Sequence, residues 1–232
     1  MRESYYHPDD LSSLDCMVTV DWASLFKALK QTPAADRMLE LRGLKTHSQA
    51  SRGKMAQLTF DWSGGTLDNK DQIEASMKQM VNGFYQMYWP MIGAFPISKI
   101  DKIHEFVPQV DGGVIMTILS SSTSVNLKAD KDHLLTHFDF DSPAMKGGAD
   151  LHYLPSPNPA PGDLRRISSM NITEQIGTSA MSVEVGLEYQ TVGGFHIPQH
   201  VDFGISGAYS IGMDFTSCSV SQEVKVTSEP KE

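Results

Sequence analysis

Apolar and polar side chains alternate along much of this chain, and that alternation limits the fold more than any other feature. The clearest case is 181–191, where Met181, Val183 and Leu187 are separated by serine, glutamate or glycine. Successive side chains of a strand point to opposite faces, so a period of two predicts a strand that is buried on one face. Similar stretches predict strands at 14–22, 113–119, 124–129, 134–141, 166–176, 195–205 and 208–220.

Weaker signals assign several other segments. Residues 37–45 and 55–62 are predicted to form a hairpin, and the second of these strands alternates cleanly. A short helix is predicted at 23–30, because its apolar residues fall on one side. Proline and glycine at 143–148 and 155–162 predict two loops.

One long helix is predicted at 71–89. Asp68 or Asn69 can cap its N-terminus. Pro90 disfavours helical geometry at the residue before it, so the regular helix is expected to end or kink there. Residues at steps of three and four form an apolar stripe along one face. The stripe consists of Ile73, Met77, Met80, Phe84, Met87 and Met91.

These elements predict a mainly β protein with one long helix. Consecutive strands joined by short turns give an antiparallel meander, and a sheet of about nine or ten strands curls or closes. The expected architecture is a curved antiparallel sheet or incomplete β-barrel with the helix as a lid. A single domain is expected at 13–221, with an extension at 1–12 and a polar tail at 222–232.

Composition and charge exclude several classes of partner. Apolar residues make up 40% of the chain and charged residues 20%, which is typical of a globular protein. The formal net charge is −9 and the acidic residues are spread along the chain, so nucleic acid and anionic membrane surfaces are not expected to bind. No stretch approaches the roughly 18 apolar residues of a transmembrane segment.

Two features bear on the compartment. The first residues lack the apolar core of a secretory signal, so a chain that starts at Met1 is expected in the cytoplasm. A chain from which an export signal has been removed would be periplasmic or secreted. Cys16 and Cys218 either remain separate buried thiols or form a disulfide across 202 residues. Such a bond would stabilise the fold by about 4–5 kcal/mol and imply an oxidising compartment.

The histidines do not predict a metal site. His133 and His137 are four residues apart, as are His196 and His200. In a strand this spacing places both side chains on one face but about 13 Å apart, too far for one metal ion to bridge. Pro198 makes the second pair the better candidate, because it can bend the strand. Solvated surface histidines are the preferred interpretation.

Catalytic residues and cofactors are not predicted either. Asp139 and Asp141 share the polar face of one predicted strand. Paired carboxylates carry out acid–base chemistry in a desolvated cleft, whereas these two are expected to be solvated. The glycine pairs at 64–65, 112–113 and 193–194 lack the lysine and the strand-to-helix setting of a phosphate loop. They are predicted as turns.

The methionine-rich helix permits two interpretations. Its stripe can be the core face of a packed helix, which is the more common case. Alternatively the helix covers a cavity inside the curved sheet, because thioether side chains adapt to varied apolar partners. In that case the cavity would be lined by residues of the helix and of the facing strands. These candidates are Met77, Met80, Phe84, Met87, Met91, Phe60, Val185, Leu187, Ile211 and Met213.

The C-terminal part of the chain resembles a known superfamily. Residues 188–198 read Glu-Tyr-Gln-Thr-Val-Gly-Gly-Phe-His-Ile-Pro, and Val201 and a last strand ending at Phe215-Thr216 follow. This arrangement is similar to the end of the bacterial outer-membrane lipoprotein carriers, over roughly residues 110–220. The resemblance implies an incomplete, curved antiparallel barrel plugged by helices. For periplasmic members it implies an apolar cavity that carries the acyl chains of lipoproteins or lipids.

Three functional hypotheses follow. In the first, the protein binds a hydrophobic small molecule or lipid beneath the helix. In the second, it is a structural or protein-interaction module with a filled core and no ligand, which leaves a protein partner open. In the third, it is a cofactor-free enzyme that uses the same cavity. The first is preferred over an enzyme, because the predicted inner faces carry mainly valine, leucine, isoleucine, phenylalanine and methionine.

Overall fold

The computed structural model describes residues 6, 8, 10–62, 69–92, 103–120, 123–143, 146–154, 164–176, 178–205 and 209–222. In this part of the chain, the helices are α1 (Trp22–Ala28), α2 (Ala35–Gly43) and α3 (Lys70–Ile92). The strands are β1 (Leu11–Val20), β2 (Leu44–Ser51), β3 (Gln57–Trp62), β4 (Glu105–Pro108), β5 (Val114–Ser120), β6 (Thr123–Ala129), β7 (Leu135–Asp141), β8 (Lys146–Tyr153), β9 (Ile167–Ile176), β10 (Ser179–Val192), β11 (Phe195–Ile205) and β12 (Tyr209–Gln222). The loop predicted at 155–162, most of the N-terminal extension and nearly all of the tail lie outside the described residues.

All twelve strands form one antiparallel sheet. Their order is β3-β2-β1-β12-β11-β10-β9-β8-β7-β6-β5-β4. From β4 to β12 each strand pairs with its neighbour in sequence, whereas β1 pairs with β12, the last strand, as well as with β2. The sheet is curved and open rather than closed into a barrel. The predicted mainly β fold with a curved antiparallel sheet is therefore confirmed.

The long helix runs further than predicted. α3 spans Lys70–Ile92 and continues past Pro90. A proline so close to a helix end removes only one backbone hydrogen bond of the last turn, so two further residues remain helical. Within the described residues, no helix has both the length and the apolar character needed to cross a membrane.

The predicted strand at 37–45 is wrong, because most of it is helical. α2 occupies Ala35–Gly43, and the strand that pairs with β3 is β2. The inward-facing residues of β2 are Leu44, Thr46, Ser48 and Ala50, and all four are buried. Small and polar residues on the buried face hide the apolar alternation that marks a strand, so sequence reasoning placed the hairpin one element too early.

The predicted loop at 143–148 is also partly wrong, because β8 begins at Lys146. Gly147 and Gly148 belong to this strand. A β-carbon on Gly148 would lie 2.7 Å from the carbonyl oxygen of Phe138 on β7, well inside van der Waals contact. The two glycines therefore permit close approach of neighbouring strands, which is one use of glycine within a sheet.

The sheet divides into two halves with different support. The helix half consists of β3, β2, β1 and β12, and α3 packs on its inner face through a ring contact between Phe84 and Phe215. The hairpin half consists of β4 to β9, and β10 and β11 join it to the helix half. The inner face of the hairpin half also carries buried apolar side chains. They include Val114, Met116, Leu127, Leu135, Leu151 and Met170.

A disulfide joins the first strand to the last. Cys16 on β1 and Cys218 on β12 are bonded, with their Cα atoms 4.2 Å apart. Of the two alternatives left open by the sequence, the bonded one is correct. Ser217, which precedes Cys218, has a φ of 50°, and the register between β1 and β12 shifts at this point. The bond fixes the non-local strand pair in the helix half.

Candidate functional site

The inner side of the sheet around α3 is the part of the molecule in which the predicted site residues were placed. Polar contacts hold α3 to the helix half. Nε1 of Trp62 donates to Glu74 at 3.0 Å, and the backbone N–H of Ala56 donates to Oδ1 of Asn82 at 2.6 Å. The hydroxyl of Ser48 donates to that of Tyr85 at 3.4 Å. These contacts fix the helix over β2, β3 and the loop that connects them.

Aromatic rings of α3 pack against one another and against Phe215 on β12. The ring of Phe84 lies 5.3 Å from those of Tyr85 and Phe215 and 5.5 Å from that of Tyr88. The rings of Tyr88 and Trp89 are 5.7 Å apart. Aromatic pairs at such distances contribute roughly 0.5–1.5 kcal/mol each beyond the burial of their area. The C-terminal half of α3 is therefore the best-anchored part of the helix.

Three hydrogen-bond donors near the end of α3 are buried without a partner in the described part of the chain. They are the hydroxyl of Tyr88, Nε1 of Trp89 and Nε of Arg52, and we call them the donor cluster. The guanidinium of Arg52 lies 5.7 Å from the ring centre of Trp89 and donates to the carbonyl oxygen of Pro8 at 2.9 Å. An unpaired buried donor lowers the free energy of unfolding by about 1–3 kcal/mol. Three such donors close together are unusual in a folded protein.

Burial controls the ionisation of the tyrosines around the donor cluster. It raises the pKa of Tyr88 well above its ordinary value, and neighbouring Tyr189 and Tyr6 raise that pKa further. Burial also raises the pKa of Tyr85 to about 12, although the hydrogen bond from Ser48 opposes this effect. A tyrosine hydroxyl is protonated at neutral pH even at its ordinary pKa of about 10, and burial strengthens this preference, so the Tyr88 hydroxyl is available as a donor.

Tyr189 on β10 and Tyr6 both lie close enough to Tyr88 to influence its pKa. Tyr189 on β10 donates its hydroxyl to the carbonyl oxygen of Ile167 at 2.8 Å. The hydroxyl of Tyr6 accepts the backbone N–H of His196 at 2.7 Å. The positive charge of Arg166 lowers the pKa of both Tyr6 and Tyr189, against the larger effect of burial. A tyrosine-rich, cationic patch therefore lies beside the donor cluster.

Most of the predicted cavity-lining residues lie in the interior. Met77 and Phe84 on α3 are fully buried, Met80 and Met87 are half-buried, and the side chain of Met91 lies outside the described part. Phe60 is half-buried and contacts Lys78, whose Nζ lies 5.4 Å from its ring centre. The remaining candidates are buried residues of β10 and β12. They are Val185, Leu187, Ile211 and Met213, and Ile211 lies outside the main apolar cluster.

Sequence reasoning missed the aromatic face of α3. The buried positions run through Val81, Tyr85, Tyr88 and Ile92, one residue along from the predicted Met80, Met87 and Met91. This second stripe also has steps of three and four from Ile73, and Tyr88 in particular continues the series from Phe84. The signal was present in the sequence, but the prediction followed the methionine stripe, which lies about 100° around the helix from the buried aromatic stripe.

The histidines and acidic residues considered above lie largely on the outer face. His137 is 2.8 Å from Asp150 and 3.6 Å from Asp139. His200 is 2.6 Å from Asp214 and 3.3 Å from Asp202, and the hydrogen bond with Asp214 raises its pKa.

The other members of these pairs have separate surroundings. His133 lies in a turn with a φ of 61°, Asp141 pairs with Lys146 at 2.7 Å, and the ring of His196 contacts that of Tyr6. Among the described residues, no group of three or more His, Cys, Asp or Glu side chains is arranged to hold a metal ion. The cross-strand pairs are thus best explained as contacts that support the sheet.

Comparison with known proteins does not supply a function. No family model, curated protein or solved structure matches this chain. A surface groove of about 740 Å³ lies on the outer side, lined by polar residues of β6 and β7 such as Asn126 and Asp139. Ligand sites are usually lined mainly by apolar and aromatic side chains, whereas the side chains around this groove are mostly polar or charged.

Proposed function

We propose that the protein binds a hydrophobic ligand, a lipid or an acyl chain, between α3 and the inner face of the hairpin half. One observation carries this proposal. The hydrogen bonds, ring contacts and cation–π contacts described between α3 and the sheet all go to the helix half, while apolar side chains continue across the inner face of the hairpin half. The interior surface is therefore larger than the surface that α3 is seen to contact.

Simple dimensions support this argument. Neighbouring strands are about 4.8 Å apart, so twelve of them give a sheet about 50 Å wide along its curve. A helix with its side chains is about 10–12 Å in diameter. One helix therefore spans only two or three strands, so groups other than α3 cover the rest of the apolar inner face.

A second function, a module with a filled core and no ligand, is favoured by the burial of the same residues. Met116, Leu127 and Met170 in the hairpin half are each no more than 5% exposed. In a filled core these side chains would interdigitate at normal interior density, with no gap larger than a water or two. In the binding protein they would border a space of several hundred Å³, which is usual for a small-molecule site.

Mass measurement separates the two functions. Protein purified without detergent would be examined by native mass spectrometry and then extracted with organic solvent. The binding function predicts an added mass that the extract identifies as lipid, and predicts that the stripped protein binds a fluorescent fatty-acid probe. A bare mass together with no probe binding would leave the filled core as the function.

A pair of methionine variants locates the site. Met116→Ala shortens a buried side chain on the inner face of β5, whereas Met181→Ala shortens one on β10 that is 42% exposed. The binding function predicts that Met116→Ala changes probe affinity severalfold and that Met181→Ala does not. Equal affinities for both variants would place the ligand elsewhere in the molecule.

The disulfide supports a proposal about the compartment. Disulfides persist in oxidising surroundings such as the periplasm or the extracellular space, and are rare in reducing ones. We therefore infer a periplasmic or secreted protein, with Cys16 and Cys218 bonded in the cell. Trapping of free thiols directly in lysed cells tests this inference, since a cytoplasmic protein would be labelled at both cysteines.

A further inference from the structure

All three open groups of the donor cluster can donate a hydrogen bond. Nε1 of Trp89 and Nε of Arg52 can only donate, whereas the Tyr88 hydroxyl can donate or accept. Tyr88 is 0% exposed, so bulk water does not reach its hydroxyl. A group that satisfies this cluster must therefore present acceptor atoms.

The charge around the cluster is positive. Among the described residues, the charged side chains that influence the pKa values of Tyr88, Tyr189 and Tyr6 are Arg52 and Arg166. Both are permanent cations, and each has a buried Nε without a partner in the described part of the chain. This contrasts with the formal net charge of −9 of the whole chain. Local charge and open donors thus both favour an anion.

The neighbouring hydroxyls already have protein partners. Tyr189 already donates to Ile167, and the Tyr6 oxygen already accepts from His196. The Tyr85 hydroxyl, one turn before Tyr88 on α3, is used by Ser48 on β2. Tyr88 differs from these three, because its hydroxyl has no protein partner among the described residues.

We propose that the donor cluster binds the head group of the hydrophobic ligand and that this head group is an anion with acceptor oxygens, a carboxylate or a phosphate. This inference rests on the proposed binding function. The acyl chain would extend from the cluster across the inner face of the hairpin half. The oxygens would accept from the Tyr88 hydroxyl and Trp89 Nε1, with Arg52 as counter-charge; hydrogen bonds of this charged type are stronger than neutral ones.

Three ligands with the same chain length test the proposal on the full-length protein. Hexadecanoate, hexadecyl phosphate and hexadecanol would each be titrated at pH 8 by displacement of a fluorescent acyl probe. At least one anion should bind about tenfold more tightly than the alcohol, and the stronger of the two anions identifies the source of the head group. Tyr88→Phe should lower affinity for that anion about tenfold while leaving hexadecanol within about twofold.

Tyr85→Phe is the matched control, because it removes a hydroxyl that has a protein partner. It should lower the melting temperature of the ligand-free protein and leave the preference for the anion unchanged. Tyr88→Phe should leave that melting temperature unchanged or raise it, since it removes an unpaired buried group. Trp89→Phe, which removes the second donor, should also reduce the preference for the anion.

The possible failures are distinguishable. If the parent protein binds all three ligands equally, or if Tyr88→Phe keeps the full preference for the anion, the head-group site is wrong while the binding function stands. If the parent binds none of the three, the proposed function fails and the head-group site fails with it.

Discussion

The helix half and the hairpin half of the sheet are built from similar strands but are held together differently. In the helix half, a disulfide joins β1 to β12, and α3 adds ring contacts and buried hydrogen bonds. In the hairpin half every pairing is between strands that follow one another in sequence, and its outer strand β4 is only four residues long and exposed. Phe106 on β4 is 58% exposed.

This difference shows where non-local interactions are needed. Strands adjacent in sequence pair at small cost in loop entropy, because the turn already brings them together. The pairing of β1 with β12 has to close a loop of 202 residues, so it needs strong contacts to compensate. The disulfide and the ring contacts of Phe215 on β12 are found at this strand pair, which we call the seam. We expect stability to depend more strongly on the helix half, and the predictions below test that expectation.

The largest expected effect is loss of the disulfide. Reduction of the bond between Cys16 and Cys218 should lower the free energy of unfolding by about 4–5 kcal/mol, because the unfolded chain gains the entropy of a loop of 202 residues. Urea unfolding with and without a phosphine reductant measures this change. The chain has only these two cysteines, so a Cys16→Ala, Cys218→Ala variant should not respond to the reductant. An unchanged midpoint for the reduced parent would contradict the assignment of stability to this seam.

Phe84→Ala should have the next largest effect. Phe84 is fully buried and contacts Phe215, Tyr85 and Tyr88, so its removal should cost about 3–5 kcal/mol if the helix half is packed as a core. The exposed Phe106→Ala on β4 is the control and should change the unfolding free energy by less than about 0.5 kcal/mol. A cost below about 1 kcal/mol for Phe84→Ala would indicate a cavity wall at this position rather than a packed core.

A glycine substitution tests the hairpin half. Gly148→Ala should destabilise the protein by about 1–3 kcal/mol, because its β-carbon would lie 2.7 Å from the backbone oxygen of Phe138. Gly186→Ala on β10 is the control, since its nearest neighbour, Cβ of Asp202, would be 3.5 Å away. Hydrogen exchange should show the loss of protection for Gly148→Ala mainly in β7 and β8. Equal protection in both variants would show that the strands can separate without cost.

The smallest expected effect concerns His200 on the outer face. Its hydrogen bond with Asp214 raises its pKa above the ordinary value of 6.5, so protonation is favoured in the folded protein. The resulting stabilisation is complete below pH 6.5 and is lost as the pH rises through the folded pKa. Because the pair is partly exposed, the change should be below about 1 kcal/mol. Between pH 5 and 8, the urea midpoint should vary less with pH for His200→Gln than for the parent.

The sequence predicted the parts of this fold whose strands have one apolar and one polar face. β10 and β11 were placed to within two residues, because their buried positions carry residues such as Val185 and Val201. β2 was missed because Thr46 and Ser48 face inward, and β8 was missed because Gly147 and Gly148 at its start predicted a loop. In both cases tertiary contacts, rather than local propensity, determine the strand.

The candidate site was predicted less well than the fold. Periodicity correctly predicted the position of α3 and the burial of one of its faces. Met77 and Phe84, which were predicted to face the interior, are buried. Periodicity does not indicate which of two adjacent stripes is buried, because Met80 and Val81 differ by one position on the helix. Nor does it indicate that Arg52, distant in sequence, lies against Trp89. The donor cluster depends on that tertiary contact and was therefore outside the reach of sequence reasoning.

The pairing of β1 with β12 also has a consequence during protein synthesis. A ribosome produces β1 before the other strands of this sheet and β12 after them. The hairpin half can assemble while the chain grows, since its strands meet in the order in which they emerge. The edge of β1 that faces β12, and the thiol of Cys16 beside it, stay open until translation of the last strand is complete. The pairing of β1 with β12 and the oxidation of the cysteines are thus both late events. Until then the nascent chain carries an exposed strand edge.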